Sequence, residues 1–346
     1  MAEAFRRDRR MQSFAVHLFI DVFPSSWMKA IIDYERHPKP AWFAYREALT
    51  PLAVNLRTDR RAFFSGEPIE LEAWVCNDRN RAPHDAKLHY QIERDGKVMQ
   101  AGSTAAAVPL LDSAYQGTLH FQPLDVAART RMPVRLGLLD PRGKVLHDTA
   151  LSLDVFPRPK AELRRIYVVG GPKGKAAQLA GDLGATPVFA GPIHAGDAIL
   201  IDDLSAFAKV ETQVAQAVRA GARAVFLELS AGKHHIAQTE VAVGGTPTEL
   251  HFVSRATGHR LVDGFQPDDF KFWYDARLDR PSPLLKTPAF HAAGWEAILL
   301  SYNAMAAGWK ADGKGHWCIC QIELAHRIAG NPVAAIFAQR LLGAGK

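Results

Sequence analysis

The chain contains 346 residues, of which 48% are hydrophobic and 23% are charged, a composition typical of a globular protein with two or three domains. The net charge is +6, but the arginines are scattered and form no basic stripe interleaved with aromatic residues, so we expect no nucleic-acid partner. Of the three cysteines, Cys318 and Cys320 are spaced C-I-C, which fits neither a zinc pair nor a disulfide framework. The cysteines are therefore predicted to be buried free thiols, and we predict no metal ligands and no cofactor.

Residues 1–10 are charged and polar, and they contain neither the apolar core nor the cleavage site of a secretory signal. No stretch reaches the roughly 18 apolar residues that a membrane helix needs, so we expect no membrane partner. These observations leave the cellular location open.

The first predicted strand is Val16–Val22, a nearly continuous apolar run of the kind that parallel sheets cover on both faces. Only 15 residues precede it, enough for at most one helix, so its neighbouring strands are expected outside this chain. Pro38 and Pro40 then predict a turn and a helix from Ala41 to Leu49, because proline suits a first helical turn.

Residues 51–157 show a different pattern, with six or seven short alternating runs separated by turn residues. This spacing is typical of an immunoglobulin-like β-sandwich. The cysteine and tryptophan pin of antibody domains is missing, so the prediction depends on the pattern alone.

The period changes again after residue 164. The runs IYVVGG, DAILIDD and ARAVFLEL predict three short buried strands, and an amphipathic helix ended by Gly221 lies between the last two. We therefore predict an α/β domain with parallel strands and crossover helices. Residues 321–342 are predicted to form two helices broken at Gly330-Asn331-Pro332.

Glycines Gly170, Gly171 and Gly174 follow the first of these strands. Such a loop before a helix can cradle a phosphate, but it fits neither common phosphate-binding fingerprint. The alternative is a plain turn between a strand and a helix.

Two further motifs have alternative interpretations. Ser230 with His234 and His235 is either a nucleophile near a base or a polar loop, since the glycines of a nucleophile elbow are absent. The run Asp268–Asp275 is either a sugar-binding or partner-binding surface, or a core strand flanked by capping acids.

Several short motifs follow one another near the N-terminus. They are Asp21 with Pro24, Ser26-Trp27, Ile32-Asp33-Tyr34, and Lys39-Pro40-Ala41 with Ala44. Together they resemble the last strand, loop and helix of the catalytic barrel in family 2 glycoside hydrolases, in the branch of β-mannosidases, exo-β-glucosaminidases and some β-galactosidases. Residues 63–78 resemble the second strand of the sandwich that follows this barrel, so the resemblance spans residues 14–157.

This resemblance implies that the chain holds only the last β/α unit of a barrel that takes about 250 residues. Retaining glycosidases use two carboxyl groups about 5.5 Å apart, and in this family both glutamates lie on earlier strands. No residue here is therefore expected to be catalytic, and the chain alone is expected to be inactive. Asp21 and Trp27, in the loop after the last strand, are the expected substrate contacts, and the expected ligand is a β-linked sugar or oligosaccharide bound by the missing barrel.

The α/β domain resembles the class I amidotransferase-like, flavodoxin-related domain of several large glycosidases. In active amidotransferases a cysteine follows the third strand, whereas residues 228–232 here contain none. The resemblance implies a scaffold through which the chain forms homo-oligomers. Trp273, Trp295, Trp309 and Trp317 would suit an interface, a sugar platform or the core.

The sequence thus predicts three domains: the terminal strand and helix of a barrel at 1–50, an immunoglobulin-like sandwich at 51–157, and a flavodoxin-like α/β domain at 164–346. The resemblance implies the C-terminal part of a β-glycoside hydrolase. The alternative is a non-catalytic protein for carbohydrate binding or oligomerisation.

Overall fold

The computed structural model describes residues 2–8, 10–11, 13–24, 30–160, 165–244 and 253–343. The chain divides into two compact units, Met1–Arg61 with Ser65–Phe156, and Ala62–Phe64 with Pro157–Lys346. Both units consist mostly of β-strands with few helices, so the protein is a β-rich, multidomain fold. Among the described residues, no helix combines the length and the apolar character that crossing a membrane requires.

The described part of the N-terminal segment of the first unit contains helix α1 at Ala2–Arg7 and helix α2 at Pro40–Ala48. The second helix confirms the prediction for this stretch. Pro40 lies in its first turn, where the missing proline N–H has no helical partner to lose, and Lys39 is the N-cap.

The strand predicted at Val16–Val22 is not formed in the structure. Within the described residues, this run makes one isolated parallel bridge, between Ile20 and Ile32. Val22 is 85% exposed and Phe19 is 53% exposed. A strand buried on both faces needs neighbouring strands, and the bridge to Ile32 does not provide them. The prediction of a buried strand is therefore wrong for this chain.

Antiparallel strands make up the rest of the first unit. In chain order, the strands up to residue 156 are β1 (Leu52–Arg57), β2 (Ala62–Phe64), β3 (Ile69–Asn77), β4 (Lys87–Arg94), β5 (Lys97–Ala105), β6 (Asp112–Phe121), β7 (Thr130–Leu139) and β8 (Val145–Phe156). Of these, β2 belongs to the second unit. One sheet has the order β1-β3-β6, and the other contains β8, β7, β4 and β5 in that order.

Alternate residues of these strands point into a shared apolar core. In β3, Leu71 and Val75 are buried, and in β7 the buried residues Met132, Val134 and Leu136 alternate with more exposed neighbours. This period of two is what a strand shows when one face packs and the other meets solvent. The arrangement fits the predicted sandwich-like fold.

Over its described residues, the second unit combines a large mixed sheet with three α-helices. In chain order, the elements are β9 (Arg165–Val169), α3 (Lys175–Asp182), β10 (Thr186–Val188), β11 (Ala198–Ile201), α4 (Leu204–Ala220), β12 (Arg223–Leu227), β13 (Gly232–Ile236), β14 (Thr239–Val243), β15 (Phe272–Asp275), β16 (Arg280–Pro283), β17 (Phe290–Ala292), β18 (Glu296–Ser301), β19 (Ala304–Asp312), β20 (Gly315–Cys320) and α5 (Pro332–Leu342). Short 3₁₀ helices lie at Arg260–Val262 and Pro267–Phe270.

The main sheet has the order β10-β9-β11-β12-β20-β19-β17-β14-β13, with β18 paired to β19, and β15 and β16 form a separate ribbon. The first five strands are parallel, and the strands from β19 onward are antiparallel. The predicted strands and crossover helix are thus present, but antiparallel strands extend the sheet on one side. The large apolar residues Phe207, Phe226 and Trp317 pack between α4 and the sheet.

The predicted pair of helices at 321–342 is only half correct. After Asn331 the chain forms α5, but residues 321–330 contain no helix and run along the unit as turns and a bridge from Ile322 to Leu285. The polar side chains Gln321 and Glu323 of this stretch are buried and hydrogen-bonded to other segments, which an isolated helix pattern does not anticipate.

Candidate functional site

The carboxyl ends of β9, β11 and β12 lie around a cleft of about 480 Å³. In sheets of parallel strands, ligands usually bind outside this edge. The cleft is lined by the turns that follow the three strands, including Gly171, Gly174, Asp202, Asp203, Glu228 and Ser230. It is the candidate site of the second unit.

The glycine-rich turn after β9 packs against the carboxylate of Asp202. A Cβ atom added at Gly170 would lie 1.8 Å from Asp202 Oδ1, and one added at Gly174 would lie 2.3 Å from Oδ2. Asp202 Oδ2 also accepts a hydrogen bond of 2.9 Å from the backbone N–H of Ala176, in the first turn of α3. The glycines are therefore needed because a carboxylate, and not a phosphate, approaches the backbone here. This geometry favours the plain turn over the phosphate-binding loop.

A second carboxylate caps the next helix at the same edge. Asp203 is the N-cap of α4, and its Oδ1 accepts hydrogen bonds from the backbone N–H groups of Ser205 (2.8 Å) and Ala206 (3.0 Å). A helix N-terminus attracts anions through its free N–H groups and its dipole. Asp202 already binds one of these N–H groups in α3 and Asp203 binds two in α4, so both helices offer an anionic ligand less attraction.

The turn after β12 places Glu228 at the bottom of the cleft. Its φ of 48° is in the left-handed region, which residues other than glycine adopt rarely. The side chain is 3% exposed, and its Oε2 accepts a hydrogen bond of 2.8 Å from Lys175 Nζ. Burial raises the pKa of the Glu228 carboxyl, and the Lys175 ammonium opposes that rise. A strained, buried carboxylate thus occupies the turn after the third parallel strand.

Gln321 fixes this turn from the neighbouring segment. Its Oε1 accepts a hydrogen bond of 2.8 Å from the backbone N–H of Leu229, and its Nε2 donates one of 3.0 Å to the Leu229 carbonyl oxygen. In nucleophile elbows, the N–H of the residue after the nucleophile belongs to the oxyanion hole. Here that N–H belongs to Leu229, and it is already bound by Gln321.

The two thiols of the second unit are not suited to act as nucleophiles. Cys318 and Cys320 are completely buried in β20. Burial raises the pKa of Cys318 to about 12 and also raises the pKa of Cys320. Because the thiolate is the reactive form, neither cysteine is a nucleophile at neutral pH.

Ser230 and the two histidines do not form a catalytic pair in the structure. Ser230 lines the cleft, but His234 and His235 lie on β13, at the edge of the sheet. The Nε2 atom of His234 is 2.8 Å from the backbone carbonyl oxygen of Ser230, to which it donates. A ring nitrogen bound to this carbonyl does not activate the Ser230 hydroxyl, so the polar loop is the better interpretation.

Of the two expected substrate contacts, Asp21 lies in a buried ion pair and Trp27 lies outside the described residues. Asp21 Oδ2 is 2.6 Å from Lys39 Nζ, and the Asp21 side chain is 5% exposed. The ion pair thus joins the loop residue Asp21 to the lysine that precedes α2.

The run Asp268–Asp275 lies only partly in the core, since Trp273 and Asp275 are buried while Phe272 is 53% exposed. Trp273 is 3% exposed, and the Asp275 carboxylate is bound by the guanidinium of Arg277, with Nε to Oδ1 and Nη2 to Oδ2 distances of 3.0 Å. These hydrogen bonds lower the pKa of Asp275 to about 2. Trp309 and Trp317 are buried as well. Core packing therefore explains these tryptophans better than a sugar platform does.

No protein-family model matches the sequence. No curated protein matches it either. Among solved structures, the CARDB domain of the PF1109 protein from Pyrococcus furiosus, in complex with di-metal ions, is 14% identical over 31% of this chain and 91% of its own, with a TM-score of 0.23. A cycloisomaltooligosaccharide glucanotransferase from Paenibacillus, complexed with cycloisomaltoheptaose, is 12% identical over 60% of this chain and 32% of its own, with a TM-score of 0.26. Neither likeness defines a family for this chain.

Proposed function

We propose that this chain is the non-catalytic C-terminal part of a β-glycoside hydrolase related to family 2. The main support is the segment that carries the family motifs. Its apolar side chains Phe19, Val22, Phe23 and Phe43 are 53%, 85%, 61% and 48% exposed. Large apolar side chains exposed in one short segment are typical of surfaces that another part of a protein covers. In this proposal, the remaining strands and helices of the barrel cover them.

The ion pair of Asp21 and Lys39 also supports the proposal. It holds the loop residue of the motif against the residue that starts α2, over a separation of 18 residues. A segment organised in this way, but left with apolar side chains in solvent, suits the closing unit of a larger domain.

In this proposal, the second unit is a scaffold and not an additional active site. Its parallel strands follow the order β10-β9-β11-β12-β20, which is the order of flavodoxin-like folds and supports kinship with the amidotransferase-like domains. The elbow position carries Glu228 instead of a thiol, and Gln321 binds the N–H that would serve an oxyanion. This geometry supports a module that has kept the fold without acyl-transfer chemistry.

The proposal can be tested on the native polypeptide. An antibody raised against the 346-residue chain is used to detect and precipitate the protein from cells that carry the gene. We expect a polypeptide several hundred residues longer than this chain, and we expect the precipitate to hydrolyse at least one aryl β-glycoside. The purified 346-residue chain should hydrolyse none, and pre-immune serum is the control for the precipitation.

Two results would contradict the proposal. A native polypeptide of 346 residues without glycosidase activity would favour the free-standing binding or assembly protein. Hydrolysis by the purified chain itself would show that a catalytic carboxylate pair is present within it.

A further inference from the structure

At the opposite end of the parallel strands from the cleft, neighbouring strands bring two basic side chains together. Arg223 begins β12, and it lies in register with His316 near the start of β20. Adjacent residues of parallel strands project from the same face of a sheet. On that face the His316 ring stacks on Trp309 of β19, with ring centroids 3.8 Å apart and planes inclined by 23°.

Two more basic side chains contact the same tryptophan from the 3₁₀ helix at Arg260–Val262 and the residue before it. The guanidinium carbon of Arg260 is 4.8 Å from the Trp309 ring centroid, and the His259 ring lies edge-on to it at 4.8 Å. Trp309 is 7% exposed, so it positions these groups and offers no open face to a ligand. One buried indole thus contacts a guanidinium and two imidazoles, and one of these imidazoles, that of His316, lies beside Arg223 on the neighbouring strand.

The positive charges of this cluster are poorly compensated. Within the described part of the chain, neither Arg223 nor Arg260 forms an ion pair. Arg223 donates from Nη1 to the carbonyl oxygen of Arg340 at 3.0 Å, which caps the last turn of α5 and uses one of five N–H groups. Arg260 is exposed and interacts with the face of Trp309.

This excess of positive charge affects the pKa values of His316 and His259. Burial, then the charges of Arg223, Arg260 and His259, lower the pKa of His316, and Glu296 opposes them. The pKa of His259 is lowered by burial and by Arg260, against Glu296 and Asp263. The Glu296 side chain is 66% exposed, and its Oε1 is 4.0 Å from His259 Nε2, so it screens the cluster only weakly.

We propose that Arg223, Arg260 and His316 form a binding site for a small oxyanion, a sulfate or phosphate group. Stacking on Trp309 explains the position of Arg260, and capping of α5 explains that of Arg223, but neither contact gives a guanidinium a carboxylate partner. Guanidinium groups bind oxyanions through paired, charge-assisted hydrogen bonds. A bound dianion would relieve the repulsion between the cations. This site is independent of the proposed glycosidase function.

The test is calorimetric titration of the purified chain with inorganic sulfate in a low-salt buffer. We expect saturable binding that Arg260→Ala weakens about tenfold, the loss expected when a charge-assisted hydrogen bond is removed. Lys209→Ala, which removes one positive charge from the exposed surface of α4, is the matched control and should bind like the wild type. Because Arg260 is exposed, its variant should fold, and circular dichroism checks this.

Sulfate keeps the same charge across the neutral range, so any pH dependence of its binding comes from the protein. A bound anion favours protonated His316, so the affinity should increase as the pH falls from about 8 to about 6. His316→Gln should remove this dependence. A titration with 4-nitrophenyl sulfate then distinguishes an ester ligand, if it binds more tightly than the free ion, from the free ion itself.

Absence of saturable sulfate binding would overturn the proposal, as would equal affinities of the wild type and Arg260→Ala. An affinity independent of pH would overturn the assignment of His316 to the site.

Discussion

The side chain of Gln321 forms two hydrogen bonds with Leu229, one with its backbone N–H and one with its carbonyl oxygen, and these fix the turn after β12. The Gln321 side chain is completely buried, and the same Nε2 atom also donates to the carbonyl oxygen of Pro288 at 2.7 Å. The backbone of the turn is therefore satisfied within the protein, and no ligand is needed to complete it. This relationship distinguishes the turn from an elbow that keeps its N–H free for substrate.

We expect Gln321→Ala to destabilise the second unit by about 3 kcal/mol. The substitution leaves the N–H and the carbonyl of Leu229 buried without a partner, and each such loss costs roughly 1–3 kcal/mol. Urea unfolding measures the change. Gln213→Ala, at an exposed position of α4, is the control and should stay within about 0.5 kcal/mol of the wild type. A loss for Gln321→Ala below about 1 kcal/mol would show that water replaces the side chain.

Alanine substitutions at the neighbouring glycines Gly170 and Gly171, in the turn after β9, should have different effects on stability. A Cβ at Gly170 meets Asp202 Oδ1 at 1.8 Å, so Gly170→Ala should cost about 2 kcal/mol or more through overpacking. Gly171→Ala is the matched control, since no atom lies within 4 Å of its added Cβ. Neither glycine has a positive φ, so the difference measures the clash alone.

The clash can be isolated with a double-mutant cycle. In an Asp202→Ala background, Gly170→Ala should cost much less, because the opposing carboxylate is gone. Thermal or urea unfolding of the four proteins gives the coupling free energy. If Gly170→Ala costs the same in both backgrounds, the close approach of Asp202 is not what requires glycine.

The sequence predicted those elements whose signal is local. The alternation in β3 and the amphipathic pattern of α4 report side-chain burial within one element, and both predictions are confirmed. The run Val16–Val22 has the composition of a buried strand, but its burial depends on neighbours that the described residues do not supply. Among the antiparallel strands, β14 pairs with β17, so that Val241 lies in register with Ala292, and no local pattern encodes this long-range pairing.

The site could be predicted only in part, for the same reason. The sequence located the elbow position after the third strand, but it did not reveal that Lys175 pairs with Glu228 across 53 residues. The cluster of Arg223, Arg260 and His316 was missed entirely. Its members come from three distant segments, and each one alone has the pattern of an ordinary surface residue.

The stability of the second unit should depend on pH through Glu228. Burial raises the pKa of this carboxyl in the folded protein, so the folded state binds more protons than the unfolded state. This contribution to stability is complete below the unfolded pKa of about 4.3 and is lost as the pH rises through the folded pKa. Glu228→Gln cannot ionise, so we expect its stability relative to the wild type to increase between about pH 4 and pH 8.

Urea unfolding at several pH values measures this difference. Lys175→Ala provides a second check, because it removes the ammonium that lowers the pKa of Glu228. The stability of this variant should therefore fall more steeply with increasing pH than the stability of the wild type. Parallel curves for the wild type and Glu228→Gln would mean that the carboxyl has the same pKa in both states.

The ion pair of Asp21 and Lys39 should control the local order of the segment around it. Lys39→Met removes the 2.6 Å partner of a carboxylate that is 5% exposed. Breaking fully buried pairs costs about 3–5 kcal/mol, and since Lys39 is 29% exposed we expect about 2 kcal/mol. The backbone N–H of Asp21, which donates to the Ile32 carbonyl at 3.0 Å, reports this loss directly. Its hydrogen exchange should become about 30-fold faster.

The double variant Asp21→Asn with Lys39→Met identifies the cause. It removes the buried charge together with its partner, so most of the protection of the Asp21 and Ile32 amides should return. Lys97→Met, at an exposed position of β5, is the control for losing a lysine and should leave both amides unchanged. If Lys39→Met leaves their exchange unaltered, the pair does not organise this segment. If the double variant exchanges as fast as Lys39→Met, the lysine acts through packing of its stem and not through its charge.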